Sequence, residues 1–373
     1  MKSKIMYTVL SIAMFMILST AVFAKGPEDK DKDRGDKSAG AVYTMTNAPG
    51  GNEVVIFDRD HDGALTKAGT VSTGGTGSGG GLDPLGSQNS IVLSRDNQWL
   101  LAVNGGSNEI SVFQVGPDGL KLTDKVNSGG LLPVSLTDYH DLVYVLNAGS
   151  SPNIAGFKLD HKGRLTPLAG STRSLASNGG YAQVGFDPKG ETLVVTDKVG
   201  GKILVYFVND DGFPAVTPVT SISNGMTPFG FIFDSRGRLL VAEAGSNAVS
   251  SYKILSNDTL QVISGSVPNG QKAPCWIVGD GVGDVFTANP GNGTFSSYRL
   301  MTRNGQVALV DGVSGNGNKP LDVAITADGR FLYALDPGNG GIDMFRIEHD
   351  GGLTNLSAID GELSLFAQGI AAR

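Results

Sequence analysis

Side chains that commonly perform acid–base catalysis or bind transition metals are few in this sequence. The four histidines are His61, His140, His161 and His349, and each lies in a short polar stretch of the kind that forms turns. We predict that all four are solvated turn residues. This prediction argues against histidine-based catalysis and against a histidine-bound metal, and we expect no cofactor.

The stretch from Asp58 to Gly63 has the alternating carboxylates of a calcium-binding loop. The twelfth position of an EF-hand loop requires a bidentate glutamate, and here that position is Gly69. We therefore exclude an EF-hand. A hairpin turn in which Asp side chains accept hydrogen bonds from the local backbone is favoured over another kind of metal site.

Two further stretches suggest chemistry but lack its other requirements. Cys275 is the only cysteine, and no histidine lies near it in the chain, so we predict a buried small side chain rather than a catalytic thiol. Residues 72–86 (STGGTGSGGGLDPLG) are rich in glycine, but no G-K-[ST] ending follows, so a phosphate-binding loop is not supported. This insertion is either a tolerated surface loop, which we favour, or a flexible lid.

Polar residues at recurring positions form the candidate binding face. If this face hydrolysed an ester, one of its carboxylates would have to activate water, with Lys319 or backbone amides stabilising the negative charge. The residues that close apolar strands can instead cap the glycine-rich turns that follow. This strand-closing set is Asn47, Asn104, Asn147, Asp197, Glu243, Asn289 and Asp336. The strand-starting set is Gln88, Asn89, Tyr181, Gln183, Lys319, Asp322 and Gln368.

These positions recur because the chain contains an internal repeat. One aromatic residue recurs at steps of 56, 44, 49, 46, 46 and 47 residues. The polar strand ends recur in the same phase, and so does a turn that usually ends in glycine. The aromatic residues are Phe57, Phe113, Phe157, Tyr206, Tyr252, Tyr298 and Phe345. Seven copies with a period of about 45 residues predict an all-β, seven-bladed β-propeller with four strands in each blade.

The two ends of the repeat predict how the ring closes. Residues 41–45 begin a copy at its second strand, and residues 365–371 form an inner strand with nothing after it. The C-terminal strand should therefore join the first blade, which removes free sheet edges and is favoured over a series of β-sandwich units. Loops that follow second strands and loops that lead into inner strands share one face, here called the mouth face. Both polar sets lie on it, and the histidines lie on the opposite face.

The copies resemble the seven-bladed lactonase family, which includes 6-phosphogluconolactonase and the carboxymuconate cyclases. The resemblance covers residues 40–373 and is carried by second strands such as WLLAVNGGSN and FLYALDPGNG, and by the turns at 187–190, 234–237 and 327–330. It implies a propeller that hydrolyses or isomerises a lactone.

The resemblance supplies no catalytic residue. Family members carry His and Arg where certain inner strands begin, and the matching stretches at 180–186 and 227–233 contain neither. Two classes of function follow. One is a lactone hydrolase or cycloisomerase with a carboxylate-based site, and the other is a non-catalytic propeller that binds a small polar or carbohydrate-like ligand or a protein.

The N-terminus predicts export from the cytoplasm. Residues 1–24 combine Lys2 and Lys4, an apolar centre and small residues that end at Ala24, which is the pattern of a signal peptide cleaved after Ala24. Residues 25–39 are nearly all charged or small and predict a disordered tether before the propeller domain at 40–373. We expect a secreted or periplasmic protein. Because phosphorylated sugars are scarce outside the cytoplasm, an unphosphorylated lactone is the expected substrate.

Charge narrows the choice of partners. Cleavage would remove only Lys2 and Lys4 among the charged residues and change the formal net charge from −7 to −9. Such a chain does not attract nucleic acid or an anionic membrane. We expect a monomer with a small-molecule ligand, and a protein partner is the alternative.

Overall fold

The computed structural model describes residues 39–281 and 283–373. The predicted signal peptide and all of the predicted tether except Ala39 lie outside the described residues. Within the described part of the chain no helix is present that is long and apolar enough to span a membrane.

The described residues form β-strands joined by turns and loops. The first fifteen strands are β1 (Gly40–Met45), β2 (Glu53–Arg59), β3 (Leu65–Ser72), β4 (Ile91–Leu93), β5 (Trp99–Asn104), β6 (Glu109–Gly116), β7 (Gly119–Asn127), β8 (Pro133–Tyr139), β9 (Leu142–Asn147), β10 (Asn153–Leu159), β11 (Leu165–Pro167), β12 (Arg173–Ser174), β13 (Tyr181–Phe186), β14 (Thr192–Asp197) and β15 (Lys202–Phe207). The others are β16 (Val219–Ile222), β17 (Pro228–Phe233), β18 (Arg238–Glu243), β19 (Ala248–Ile254), β20 (Leu260–Pro268), β21 (Trp276–Gly279), β22 (Asp284–Asn289), β23 (Thr294–Leu300), β24 (Val307–Asn316), β25 (Val323–Ile325), β26 (Phe331–Asp336), β27 (Gly341–Ile347), β28 (Leu353–Ile359) and β29 (Gln368–Ala372).

These strands form seven antiparallel sheets, which are the blades of a propeller. Blade 1 has the order β29-β1-β2-β3, and the following blades take their strands in chain order, from β4–β7 in blade 2 to β25–β28 in blade 7. In blade 3 the outer strand is divided, so that both β11 and β12 pair with β10. The all-β propeller with seven blades is therefore confirmed.

The C-terminal strand closes the ring as predicted. Strand β29 pairs with β1 through Val42↔Ala372, Tyr43↔Ala371 and Thr44↔Ile370. The inner strands of every pair of neighbouring blades are in contact, including β29 with both β4 and β25. Blade 1 is thus built from both ends of the described chain.

The recurring aromatic residues form the packing between blades. All seven lie in the third strand of their blade, counted from the centre, and none is more than 2% exposed. An aromatic side chain is large enough to fill the wedge between two twisted sheets. The repeat is therefore a packing requirement that each blade meets in the same way.

The recurring turn glycine is also explained by contact between blades. Gly63 in blade 1 has φ 89°, and a Cβ there would lie 2.4 Å from the ring of Phe331 in blade 7. Gly163 in blade 3 has φ 72°, and its Cβ would lie 2.2 Å from the ring of Trp99 in blade 2. A larger residue would meet both backbone strain and a clash.

Candidate functional site

Six of the seven strand-closing residues end the second strand of their blade, and Asn47 lies two residues beyond the end of β1. All are at most 5% exposed, and their side chains bind loop backbones or neighbouring polar side chains. Asp197 Oδ1 accepts the amides of Gly180 and Gly200 at 2.9 and 2.8 Å. Asp336 Oδ1 accepts the amides of Lys319 and Gly338 at 2.8 and 3.0 Å. These carboxylates stabilise the loops of the mouth face.

Glu243 is the most heavily bonded member of the strand-closing set. It is fully buried in blade 5 and accepts five hydrogen bonds of 2.8–2.9 Å. The donors are Ser223 Oγ, the Gly225 amide, Tyr252 Oη, Ser250 Oγ and Ser266 Oγ. With both oxygens occupied, this carboxylate has no position left for an attacking water.

The four asparagines of the strand-closing set also form hydrogen bonds to loop backbone or to neighbouring polar side chains. Asn47 Oδ1 accepts the amide of Ser78 at 2.9 Å, and Asn104 Oδ1 accepts Thr73 Oγ1 at 2.7 Å. The other two are Asn147, which donates to the Ser128 carbonyl at 3.1 Å, and Asn289, which accepts from Asn269 Nδ2 at 3.0 Å. The strand-closing set is thus dispersed around the ring rather than gathered at one point.

The strand-closing residue of blade 7 has a second carboxyl group beside it. Asp343, on β27, is buried and is hydrogen bonded to Asp336. Burial and the adjacent Asp336 carboxylate raise the pKa of Asp343 to about 8. The equivalent residues of blades 2, 5 and 6 are serines hydrogen bonded to their strand-closing residue, namely Ser111, Ser250 and Ser296.

We expect Asp343→Asn to raise the melting temperature at pH 8 by several degrees and to leave it unchanged near pH 4. The folded protein keeps a proton on Asp343 that the unfolded chain releases above its ordinary pKa of 3.8, so wild-type stability falls as pH rises from about 4 to about 8. Each pKa unit of difference corresponds to about 1.4 kcal/mol. Calorimetry between pH 4 and 9 measures the effect.

Asp62→Asn, at an exposed turn position, is the matched control and should not change the pH dependence. A melting temperature at pH 8 that is lower for Asp343→Asn than for wild type would contradict the shared proton.

Two members of the strand-starting set each form two hydrogen bonds through the side-chain amide, one to the N–H and one to the carbonyl of the same residue. Gln88 Oε1 accepts the Ile277 amide at 3.0 Å, and Gln88 Nε2 donates to the Ile277 carbonyl at 2.9 Å. Gln183 pairs with both backbone groups of Phe231, at 2.7 and 3.0 Å. The Gln183 pair joins neighbouring blades 4 and 5, whereas the Gln88 pair crosses the centre of the ring from blade 2 to blade 6.

The remaining strand-starting residues occupy two regions. Tyr181 Oη donates to the Ala176 carbonyl at 3.0 Å, and Lys319 Nζ donates to the Pro290 carbonyl at 3.4 Å, both within loops of the mouth face. Asn89, Asp322 and Gln368 lie at the centre, where Asp322 Oδ2 accepts the Gly369 amide at 3.1 Å and is also hydrogen bonded to the backbone of Asn89. The structure therefore does not bring Lys319 to Asp322, as an oxyanion partner would require.

The glycine-rich insertion is a packed part of the mouth face. The amides of Gly77 and Gly79 donate to the carbonyls of Ala48 and Asn47 at 2.8 and 3.0 Å, and alternate residues of the segment are buried. Its continuation then crosses the mouth, where Trp276 Nε1 donates to the Ser87 carbonyl at 2.8 Å. Residues 80–82 are exposed, as the favoured interpretation as a surface loop expects, whereas the glycines of residues 73–79 let the backbone pass closely between blades 1 and 2.

The path of the glycine-rich insertion brings together three functional groups from distant parts of the chain. Asp83 of the insertion, Lys198 after β14 and Cys275 before β21 interact electrostatically, and all three are half-buried. Lys198 Nζ donates to the Gly86 carbonyl and lies 4.8 Å from the ring centroid of Phe229. We call Asp83, Lys198 and Cys275 the mouth cluster.

The mouth cluster perturbs the proton affinities of its members. Burial raises the pKa of Asp83 to about 6, against the opposing effect of the Lys198 ammonium. Burial lowers the pKa of Lys198, and the Asp83 carboxylate opposes that change. Burial also raises the pKa of Cys275 to about 12, so its sulfur is a thiol rather than a nucleophilic thiolate near neutral pH. Asp83 is thus a carboxylate suited to accepting a proton near neutral pH.

Sequence reasoning missed Asp83 and Lys198. Asp83 lies in the insertion, which appeared to be a surface loop, and Lys198 directly follows a strand-closing residue. Cys275 was expected to be buried, and the structure leaves it half-buried beside these two charges. The electrostatic interactions among the three side chains and the bond from Lys198 to the Gly86 carbonyl show that they belong together, and no local pattern encodes these contacts.

The structure places the four histidines and the turn at residues 58–63 as expected. All four histidines are exposed in turns on the face opposite the mouth. Asp60 Oδ1 accepts the amides of Asp62 and Ala64 at 2.9 Å each, so this hairpin is the predicted Asp-capped turn. Among residues 39–281 and 283–373, no group of three or more His, Cys, Asp or Glu side chains is arranged to hold a metal.

Two cavities on the opposite face contain none of the candidates. They have volumes of about 620 and 160 Å³ and lie between blades 5 and 6. The larger is lined by Arg236, Arg238 and Lys253, and the Arg238 guanidinium is paired with Asp234 at 2.5 Å. The mouth cluster is therefore the better candidate site.

The fold and the position of this cluster define a seven-bladed propeller with a polar site at the mouth of its central channel. The model of the family described as Lactonase, 7-bladed beta-propeller matches residues 42–174 and 241–360. The chain therefore belongs to the lactonase family of seven-bladed β-propellers. No curated protein matches it significantly.

Solved structures from three bacteria share the fold. The Pseudomonas aeruginosa periplasmic gluconolactonase is 15% identical, with 89% of this chain and 98% of that chain covered and a TM-score of 0.69. A Lactobacillus plantarum protein is 16% identical, with 90% and 99% covered and a TM-score of 0.71. A Bacteroides fragilis protein, provisionally named a 6-phosphogluconolactonase, is 17% identical, with 88% and 97% covered and a TM-score of 0.69. At these identities the likeness carries the fold alone.

Proposed function

We propose that this protein hydrolyses an unphosphorylated lactone at the mouth cluster, outside the cytoplasm. The observation that carries the proposal is the position of Asp83, with a pKa of about 6, beside the Lys198 ammonium at the channel mouth of a lactonase-family propeller. Carboxyl groups with perturbed pKa values beside a specific charge are typical of catalytic sites.

In the proposed hydrolysis, the Asp83 carboxylate and the Lys198 ammonium each have one role. The Asp83 carboxylate accepts a proton from water as the water oxygen bonds to the lactone carbonyl carbon. The Lys198 ammonium stabilises the resulting oxyanion. The ring C–O bond then breaks, and the leaving alkoxide takes the proton from Asp83, which gives an open-chain hydroxy acid and the original carboxylate. Cys275 keeps its proton throughout.

The compartment and the substrate class rest on the sequence. The predicted signal peptide favours export, where phosphorylated sugars are scarce, and a structural neighbour is named as a periplasmic gluconolactonase. An aldonolactone is the substrate class that fits both. We infer a monomer with this small molecule as its ligand.

A pH-indicator assay of lactone opening tests the proposal. We expect the mature protein to accelerate hydrolysis of glucono-1,5-lactone or a related aldonolactone, with muconolactone and 6-phosphogluconolactone as comparisons. Asp83→Asn should lower kcat/KM by about 10²–10⁴-fold, the range typical for removal of a general base. Lys198→Met should lower it by a similar factor.

The pH profile and two controls make the assay specific. Wild-type kcat/KM should rise with pH through about 6, because the ionised form of Asp83 is the base. Lys319→Met and His140→Asn remove side chains outside the mouth cluster and should retain activity. If folded wild-type protein opens no lactone faster than buffer, the proposal fails and the non-catalytic alternative gains support. A thermal-shift screen with sugars and sugar acids would then test ligand binding.

A further inference from the structure

Four side chains that carry oxygen atoms meet at one step of the C-terminal strand, and one of them, Asp83, also belongs to the mouth cluster. The Gly369 amide donates to Asp322 Oδ2 at 3.1 Å, and a Cβ on Gly369 would lie 2.4 Å from Ser90 Oγ. The preceding residue, Gln368, is hydrogen bonded to Asp83. Asp322, Ser90, Gln368 and Asp83 therefore surround the Gln368–Gly369 step; we call this set the channel floor.

Two atoms of the channel floor lack a hydrogen-bond partner. Gln368 and Ser90 are both 0% exposed, and neither Gln368 Oε1 nor Ser90 Oγ makes a hydrogen bond. A buried polar atom without a partner is costly and usually indicates a bound water or ion. The floor thus presents two unsatisfied oxygen atoms next to a carboxyl group.

The charge balance of the floor is also incomplete. Asp322 is 3% exposed, and the charged group that acts on it is the Asp83 carboxylate, which is of the same sign. Lys198 acts on Asp83 from the mouth side, where its Nζ is bonded to the Gly86 carbonyl. A buried carboxylate without a counter-charge requires either a proton or a bound cation.

We propose that the channel floor binds a calcium ion, with Asp322, Gln368 Oε1 and Ser90 Oγ as its ligands. Carboxylate, amide and hydroxyl oxygens are the ligands of hard cations, and Ca²⁺ accepts irregular sets of them. Mg²⁺ gives up its water reluctantly and needs near-octahedral geometry, so it fits a buried floor less well. Two of the ligands are not carboxylates, which is why no carboxylate-rich motif marks the site in the sequence.

Calcium binding can be measured on the whole protein without any substrate. After treatment with EDTA, added Ca²⁺ should raise the melting temperature by about 5 °C at a hundredfold excess over Kd. Tb³⁺ should bind in its place with one equivalent per chain. Its luminescence should be sensitised by Trp276, whose indole contacts Ser87, three residues from Ser90.

Substitutions assign the response to the floor. Asp322→Asn and the milder Ser90→Ala should each remove or weaken both signals, provided that circular dichroism shows a folded protein. Asp343→Asn changes another buried carboxyl of blade 7 and should keep the full response. Trp276→Phe should remove the luminescence and keep the Ca²⁺-dependent melting shift.

Three outcomes would overturn the proposal. They are the absence of any Ca²⁺ or Tb³⁺ response in wild type, an unchanged response in folded Asp322→Asn, and stabilisation by Na⁺ or K⁺ alone. The first would mean that Asp322 is held neutral by a proton. Because no lactone is present in these measurements, their result is independent of the proposed hydrolysis.

Discussion

Deletion of residues 364–373 should lower the melting temperature of the protein by about 7 °C or more. The deletion removes β29, which supplies the inner strand of blade 1 and contacts the inner strands of blades 2 and 7. It also removes the hydrogen bond from Thr44 Oγ1 to the Gly369 carbonyl, at 2.6 Å, and the bond from Arg373 N to the Ala41 carbonyl, at 2.9 Å.

The size of the effect follows from what the strand buries. Ile370 is 7% exposed, and Ala367 and Ala371 are also buried. Burial of an isoleucine contributes about 1.5–3 kcal/mol, and each hydrogen bond contributes about 0.5–1.5 kcal/mol, so the segment contributes on the order of 5 kcal/mol or more. The truncated ring would also expose the edge of β1 and should aggregate more readily on heating.

Two controls test whether the loss of stability comes from the missing β29 or from any change at the C-terminus. One is a matched substitution, and the other is an added peptide. Leu365→Ser changes a residue that is 59% exposed in the same segment and should leave the melting temperature within about 2 °C. A synthetic peptide of residues 364–373 should restore part of the loss in a concentration-dependent way. An unchanged melting curve after the deletion would show that β29 does not hold the ring together.

The second large effect is expected from Gln88→Ala. Its side-chain amide is 4% exposed and satisfies both backbone groups of Ile277 on the far side of the ring. Truncation leaves one buried N–H and one buried carbonyl without partners, at about 1–3 kcal/mol each. We expect the melting temperature to fall by about 3–9 °C in differential scanning calorimetry.

Substitutions of two other glutamines test whether the stability lost in Gln88→Ala depends on its bonds across the ring. Gln183→Ala removes the same pair of bonds between neighbouring blades and should destabilise by a comparable amount. Gln306→Ala, at an exposed position, should change the melting temperature little. If Gln88→Ala behaved like Gln306→Ala, water would be able to replace the amide, and the centre of the ring would be open rather than closed by Gln88.

The candidate site could be predicted only in part. The strand-closing set stabilises loops of the mouth face, but repetition marked positions that every blade needs for the same structural purpose. Glu243, one of the carboxylates that could have activated water, is saturated by five structural hydrogen bonds. Asp83 belongs to no repeat and lies in the segment that differs most from the other copies. A departure from the repeat is therefore the better signal of the proposed site.

The sequence by itself determined the number of blades, the strand order and the closure of the ring. These features follow from burial patterns and turn residues that each copy of about 45 residues contains locally, so periodicity is sufficient to find them. Only the tertiary structure decided the site. Asp83, Lys198 and Cys275 come from loops that are far apart in the chain, and they meet because the insertion bends across the mouth to a neighbour on another blade. Such contacts depend on the three-dimensional path of a single segment, which no repeated pattern records.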